Sequence, residues 1–474
     1  VAFDGQSHEL LDGGCVVYEG SDILFVGFPD DPACPQVDRV LNAPGRLISP
    51  GLINLHCIAN LDMQPMHMDF ERRAGRLPAA SGRRPHAWDD QGFRTSAKFS
   101  VAALLRHGTT TFCNVTAGKG YQDPKVEPIA LAEWSQRLGA RGYFAHNFQD
   151  IAGGVDEQGR RVTRHDAEEG RRGLQRAVEL VEELQRNGDD RINGFLFPYQ
   201  SEACSDALLQ EASAAARSLG VTVRSHFAQY PRETLETLAE RHMTPVQRLA
   251  ELGVLGPELT LTHAIYLSGH PEVGGDPGAD LKLLRESGTH VAHCPVVFAR
   301  GGVILRSFQR YIDAGVNVAL GTDTVPPDML GEMRAASLLS KVADQSRTSG
   351  SARTVFDAAT LAGAKALGRD DLGRLAPGAR ADISVFNLNA LHVGVVDCPI
   401  KALIHYCSGA DTETVIVDGR TVVEDGRLLG LPESELLDEA REAWTVYKGG
   451  VAESDAEGRS AAELYPPAYP IRSR

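Results

Sequence analysis

Ser49-Pro50-Gly51-Leu52-Ile53-Asn54-Leu55-His56-Cys57-Ile58 opens with a Pro-Gly break and runs through a short apolar stretch to a histidine two residues before its end. The break and the apolar Leu52, Ile53 and Leu55 predict a buried parallel strand. Side chains alternate along a strand, so His56 and Ile58 share one face and Cys57 takes the other. A His-x-His pair at that place would put two imidazoles on one cation. This chain offers one imidazole and one branched alkyl wall. Cys57, facing the other way, reads as a small core hydrophobe against the helices.

Outward from this strand, strand-like runs alternate with amphipathic helical stretches. The runs are Thr109–Phe112, Gly142–His146, Gly194–Phe197, Val221–His226, Leu259–His263, His290–His293 and Val316–Leu320, the last followed by Gly321-Thr322-Asp323. Helical patterns such as Ala177–Leu184 and Asp206–Leu219 fall between them. Strand then helix, repeated about eight times, is the pattern of a parallel (β/α)8 TIM-like barrel. The two ends differ in texture. Cys15–Tyr18 and Ile23–Val26 read as strands near the start, and Asp382–Phe386 and Thr414–Val417 near the finish. Each end is too small for a sheet domain alone, so both are expected to join in one small β-sandwich domain. The expected division is residues 1–47 and 373–430 for the β domain, 48–372 for the barrel, and 431–474 for a C-terminal helix and extended tail.

Length and composition agree with an α/β protein of this size. The chain has 474 residues, 42% hydrophobic and 23% charged, with a net charge of -15. That acidity argues against nucleic acid and against an anionic membrane surface. No apolar run approaches the ~20 residues of a membrane span. Eight cysteines without CxxC spacing read as reduced thiols. A cytoplasmic protein acting on a small molecule is the expectation.

Barrel enzymes carry their reacting groups at the C-terminal ends of strands. His56, His226, His263 and Asp323 all stand at such ends. One histidine so placed is usually structural. Four convergent residues of metal-ligand type point to a divalent cation, Zn or Fe. Trp88, Phe298 and Arg300 lie in loops after strands, where an aromatic can stack on a planar ring and an arginine can pair with a carboxylate; ordinary loop packing explains them equally well. His146 ends a strand and could reach the site, whereas His67 lies in a loop. The segment from Arg72-Arg73 to Arg83-Arg84 is rich in arginine, suited to steer an anionic substrate or, more blandly, to be a solvated loop.

With these residues in place, the chain resembles the amidohydrolase superfamily, in its cytosine/adenosine deaminase and triazine chlorohydrolase branch. The resemblance rests on Pro50–His56, Arg106-His107-Gly108-Thr109-Thr110-Thr111, His226-Phe227-Ala228-Gln229, Thr262-His263, His293-Cys294-Pro295, Gly321-Thr322-Asp323 and Leu372–Ile383. It implies one divalent metal held by His56, His226 and Asp323, with His263 and Asp323 as catalytic groups. Asp323 would take the proton of the attacking water, and His263 would orient water and substrate. It also implies a homo-oligomer, a dimer. The implied reaction is attack of metal-activated water on a C–N or C–halogen bond of a small planar nitrogen-containing compound. Two residues depart from the family pattern. Ile58 stands where a ligand histidine belongs, and Gln229 stands where deaminases of this branch carry a proton-shuttling glutamate. An amide cannot shuttle that proton, so Gln229, with Trp88, Phe298, Arg300 and His146, is expected to bind substrate. The alternatives are a metal-free enzyme using His226, His263 and Asp323 as acid/base groups, and a non-catalytic binding protein.

Overall fold

The computed structural model of the chain describes residues 1–65, 68, 88–116, 125–156, 158 and 160–472. His67 and the arginine-rich segment from Arg72 to Arg84 lie outside the described residues.

Eight parallel strands form the wall: β1 (Leu52–Cys57), β2 (Thr109–Val115), β3 (Arg141–Ala145), β4 (Ile192–Gly194), β5 (Val223–Phe227), β6 (Leu259–His263), β7 (His290–His293) and β8 (Val318–Leu320). They form two four-stranded halves, ordered β4-β3-β2-β1 and β5-β6-β7-β8. Single parallel bridges join the halves on both sides, Leu196 to Val223 and Cys57 to Asp323. The closed TIM-like barrel is thus present. Every residue of β1 and β2 is buried, which explains why these strands read as runs rather than alternations.

Inside the barrel, Leu55, Ile58, Cys113, Phe195, Phe197, Ala292 and Ala319 form one apolar cluster. Cys57 faces outward and packs with Val101, Leu104 and Leu105 of helix α1 (Asp90–Arg106). Asp89 caps α1 by accepting from the Gly92 amide at 2.7 Å, next to the wall strand it covers. The fourth strand differs from expectation. It spans Ile192–Gly194, and the Phe195-Leu196 pair beyond it bonds to β3 and to Thr222 without regular ladder geometry.

The chain ends do come together. Arg46–Pro50 pairs antiparallel with Ile383–Asn387, which continues into Thr412–Val417, Arg420–Glu424 and Arg427–Leu428 as one five-stranded sheet. Cys15–Glu19 and Asp22–Gly27 form a separate hairpin. Arg141 ties this part to the barrel. Its wholly buried guanidinium reaches Asp382 and Asp190 at 3.0 Å and Asp418 at 3.1 Å, a geometry that satisfies a charge that burial would otherwise make costly. The C-terminal helix Glu433–Ser454 lies against α1, with Lys98 bonded to Glu439 at 2.7 Å. All eight cysteines are free thiols. Among the described residues, no helix is long and apolar enough to cross a membrane.

Candidate metal centre

The site lies where β1, β5, β6 and β8 end. The halves of the barrel close there with little room to spare. A Cβ on Gly321 would sit 2.7 Å from the His56 carbonyl oxygen and 2.8 Å from its nitrogen, so only glycine lets the β8 end meet β1. Asn54 finishes the seam. Its side-chain oxygen accepts from the amides of Thr322 (3.1 Å) and His56 (3.3 Å), and its amide donates to the Thr322 hydroxyl at 2.8 Å. One side chain thereby sets both His56 and the residue before Asp323. The backbone is contorted around the centre. Ala228, His263, Ala264 and Asp323 all have positive φ (43°, 78°, 48° and 56°). Such backbone is costly for residues with a Cβ and gathers at functional sites.

His56, His226 and His263 each offer a ring nitrogen within 4.8 Å of the others, all three buried. His226 and His263 stack 5.3 Å apart and nearly parallel, with His56 edge-on to both. Asp323 borders the group, 3.6 Å from His56 Nε2 and 3.9 Å from His263 Nε2. Burial pushes His56 down to about 3, assisted by the charge of Arg224, and burial with His56 nearby pushes His226 to about 3. Burial also holds His263 well below the ordinary imidazole value. All three rings are therefore neutral, with lone pairs to give. The backbone carbonyl of Tyr199 lies 2.9 Å from His226 Nδ1, which assigns the proton there and turns Nε2 inward. Among the described residues, both ring nitrogens of His56 and of His263 lack a hydrogen-bond partner. Buried nitrogens left so are what a cation would satisfy, and the donor set suits Zn²⁺ or Fe²⁺.

Ile58 is buried in the barrel cluster, an apolar wall beside His56. Of the residues expected at the substrate, Phe298 packs on the histidine cluster, its ring edge-on to His263 at 4.7 Å. Arg300 is spent on the loop after β8, donating to the Val325 carbonyl (2.8 Å) and the Thr324 hydroxyl (2.6 Å). His146 and Tyr199 line a cleft of about 380 Å³ with Asp150, Arg164 and Arg176. Gln229 is half-buried, its amide 3.5 Å from the Tyr230 hydroxyl. Behind it Glu233 fixes the turn, accepting from the Ala228 amide at 2.5 Å and from Ser201 at 2.9 Å. Trp88 stands apart from the others. Its indole donates to the Asn60 carbonyl at 2.9 Å and its ring packs 4.3 Å from Tyr447 of the C-terminal helix.

Sequence reading did not single out Asn54, Tyr199, Arg224 or Asp62. Asp62 is buried, and neither carboxylate oxygen finds a hydrogen-bond donor among the described residues. Burial, with the charge of Asp323 adding and the nearby Ser100 opposing, raises it to about 8. An unfolded aspartate titrates near ~4. Between those values the folded chain holds a proton that the unfolded chain has lost, so stability is greatest below the unfolded value and falls as pH rises to about 8. Asp62→Asn is expected to flatten that decline and raise the melting temperature more at pH 8 than at pH 5. Parallel melting curves for the two proteins across this range check it; curves that stay parallel would mean that Asp62 is ionised in the fold.

Comparison with known proteins agrees with this geometry. The model of the amidohydrolase family matches residues 47–422. The chain is 30% identical, over 93% of its length and 97% of the relative's, to a 5'-deoxyadenosine deaminase of Methanothermobacter thermautotrophicus. Its fold is similar to that of an adenosine deaminase from Xanthomonas campestris solved with bound zinc (TM-score 0.75, 23% identity, 93% of this chain and 94% of that one). It is also similar to atrazine chlorohydrolase TrzN from Arthrobacter aurescens TC1 complexed with zinc (TM-score 0.74, 22% identity, 93% and 97%). A closed barrel with histidines and an aspartate converging at its strand ends is that of a barrel hydrolase, and the chain belongs to the amidohydrolase family.

Proposed function

We propose that the protein is a metal-dependent hydrolase that displaces ammonia, an amine or a halide from an electron-poor carbon of a small planar nitrogen-containing compound. His56, His226 and Asp323 would hold one divalent cation, zinc or iron. The observation that carries this is the convergence of neutral, buried imidazoles, two of them with wholly unpartnered ring nitrogens, beside a carboxylate at the barrel's strand ends. A divalent cation bound there supplies a hydroxide nucleophile at neutral pH and positive charge for the developing anion.

The chain's own residues do the rest. Asp323 lies beside His56 and His263, placed to take the proton of the attacking water. His263, held against Phe298, orients that water and the substrate's reacting carbon. Three protein ligands leave the open position a catalytic site needs. Ile58, two residues beyond His56, is buried among apolar side chains and offers no ligand atom.

Gln229 binds substrate and moves no proton. Adenosine-type relatives make amines the first compounds to try, but an amide at 229 favours leaving groups that need no protonation, such as halide. The zinc- or iron-loaded protein should therefore be assayed against paired aminated and halogenated purines, pyrimidines and triazines. Turnover of the halogenated member faster than its amine partner is the expected result. Gln229→Glu should raise the amine rate by at least ~10-fold, the lower reach of a positioned general acid being ~10². Ordinary deaminase rates in the unaltered protein would show this reading of Gln229 to be wrong.

A further inference from the structure

Arg224 precedes His226 by two residues on β5, so both side chains share the inward face of the barrel. It is wholly buried. No carboxylate pairs with it among the described residues, and its Nε and Nη2 lack hydrogen-bond partners. A buried guanidinium without a counter-charge is strongly unfavourable, which asks what the fold gains by keeping it.

Two of its contacts supply the answer. The guanidinium lies over the Phe195 ring at 4.7 Å, which fixes its plane. Its Nη1 donates to the carbonyl of Leu55, the residue before His56. That carbonyl belongs to a bulge. Asn54 pairs with Phe112 and Cys57 with Asn114, so three steps along β1 face two along β2, and Leu55-His56 leave the ladder. A bulge re-aims the side chains it carries and frees a backbone group that needs a partner.

We infer that Arg224 is a positioning residue of the metal centre: it braces the bulged Leu55 carbonyl and so sets the direction of the His56 imidazole. The inference rests on the proposed reading of His56 as a ligand. With no imidazole at 58, one strand-end ring must be aimed without help from a neighbour. Asn54 fixes its amide on one side and Arg224 the preceding carbonyl on the other. The brace is costly in one respect, because a fixed positive charge beneath the centre repels a cation.

That conflict makes the inference testable by the sign of an effect. Zinc affinity would be measured by chelator competition for the full-length protein and for Arg224→Lys and Arg224→Met, each alone and combined with His56→Asn. Cobalt-loaded samples would supply visible spectra. If Arg224 braces His56, both single variants bind zinc ~10–100-fold more weakly, the range for loss of a supporting outer partner. The cobalt bands shift, and in the His56→Asn background the same changes add less than ~2-fold, as a shared mechanism requires. If Arg224 acts only as a charge, the lysine variant binds as the parent does and the methionine variant binds more tightly, which overturns the inference. Equal losses with and without His56 would overturn it too, showing a general structural role. The lysine variant keeps the charge and stem, so it carries the test should the methionine variant fail to fold. A parent protein that binds no zinc at all would instead defeat the reading of His56, a separate result.

Discussion

Asp323→Asn is expected to lower turnover by at least ~10², the reach of a lost general base, while the melting temperature hardly moves. The carboxylate stands 3.6 Å from His56 and 3.9 Å from His263, beyond hydrogen-bond length, so its contribution to the fold does not run through those rings. What ties Asp323 into the barrel is its backbone. Its amide donates to the His56 carbonyl at 2.9 Å and its carbonyl accepts from Ile58 at 2.5 Å. An asparagine keeps all of that. It also keeps the side-chain shape, and asparagine tolerates the positive φ of 56° at this position as well as aspartate does. Only the negative charge is lost, and with it the acceptor for the proton of water and one anionic ligand for a cation. Steady-state rates and melting curves on the same preparation separate the possibilities. A variant that unfolds would assign Asp323 to the fold, and one with full activity would remove it from the chemistry.

His56→Asn is expected to strip the cation. Removing His56 leaves His226 and Asp323 as the proposed ligands, fewer than the three of an ordinary catalytic zinc site. The loss in affinity should exceed the ~10–100-fold that removal of a supporting outer partner costs. Folding should survive, because His56 uses no side-chain hydrogen bond in the structure. Metal content after dialysis against a weak chelator checks this. Retention of a full complement would move the cation away from His56.

Much of this architecture was legible in the residues because buried parallel strands announce themselves. Leu52–His56 and Leu259–His263 are largely apolar or β-branched runs ending on a histidine, and both lie in strands with those histidines at the centre. Other features needed the closed barrel. Arg224 lies two residues before His226 on a strand that the sequence marks, but its lack of a carboxylate partner among the described residues shows only in the closed barrel. Asn54 looks like an interruption in an apolar strand until Thr322 arrives beside it from the far end of the barrel. Trp88 packs against a helix from the C-terminal end of the chain, and nothing local foretells that packing. Arg300 likewise found its partners in the loop after β8 rather than a carboxylate. The strand near Gly194 is displaced because its apolar run continues past the ladder into Phe195 and Leu196, where hydrophobicity marks burial without marking hydrogen bonding.

The central claim is that His56, His226 and Asp323 hold a catalytic cation with isoleucine at position 58. Elemental analysis of the protein, grown with zinc and iron supplied and assayed before and after chelation, tests it most directly. The account predicts about one zinc or iron per chain, as a three-ligand catalytic site takes, and activity that disappears on chelation and returns when the metal is restored. Much less than one metal per chain, with activity undiminished by chelation, would contradict it and leave His226, His263 and Asp323 as a metal-free acid/base centre.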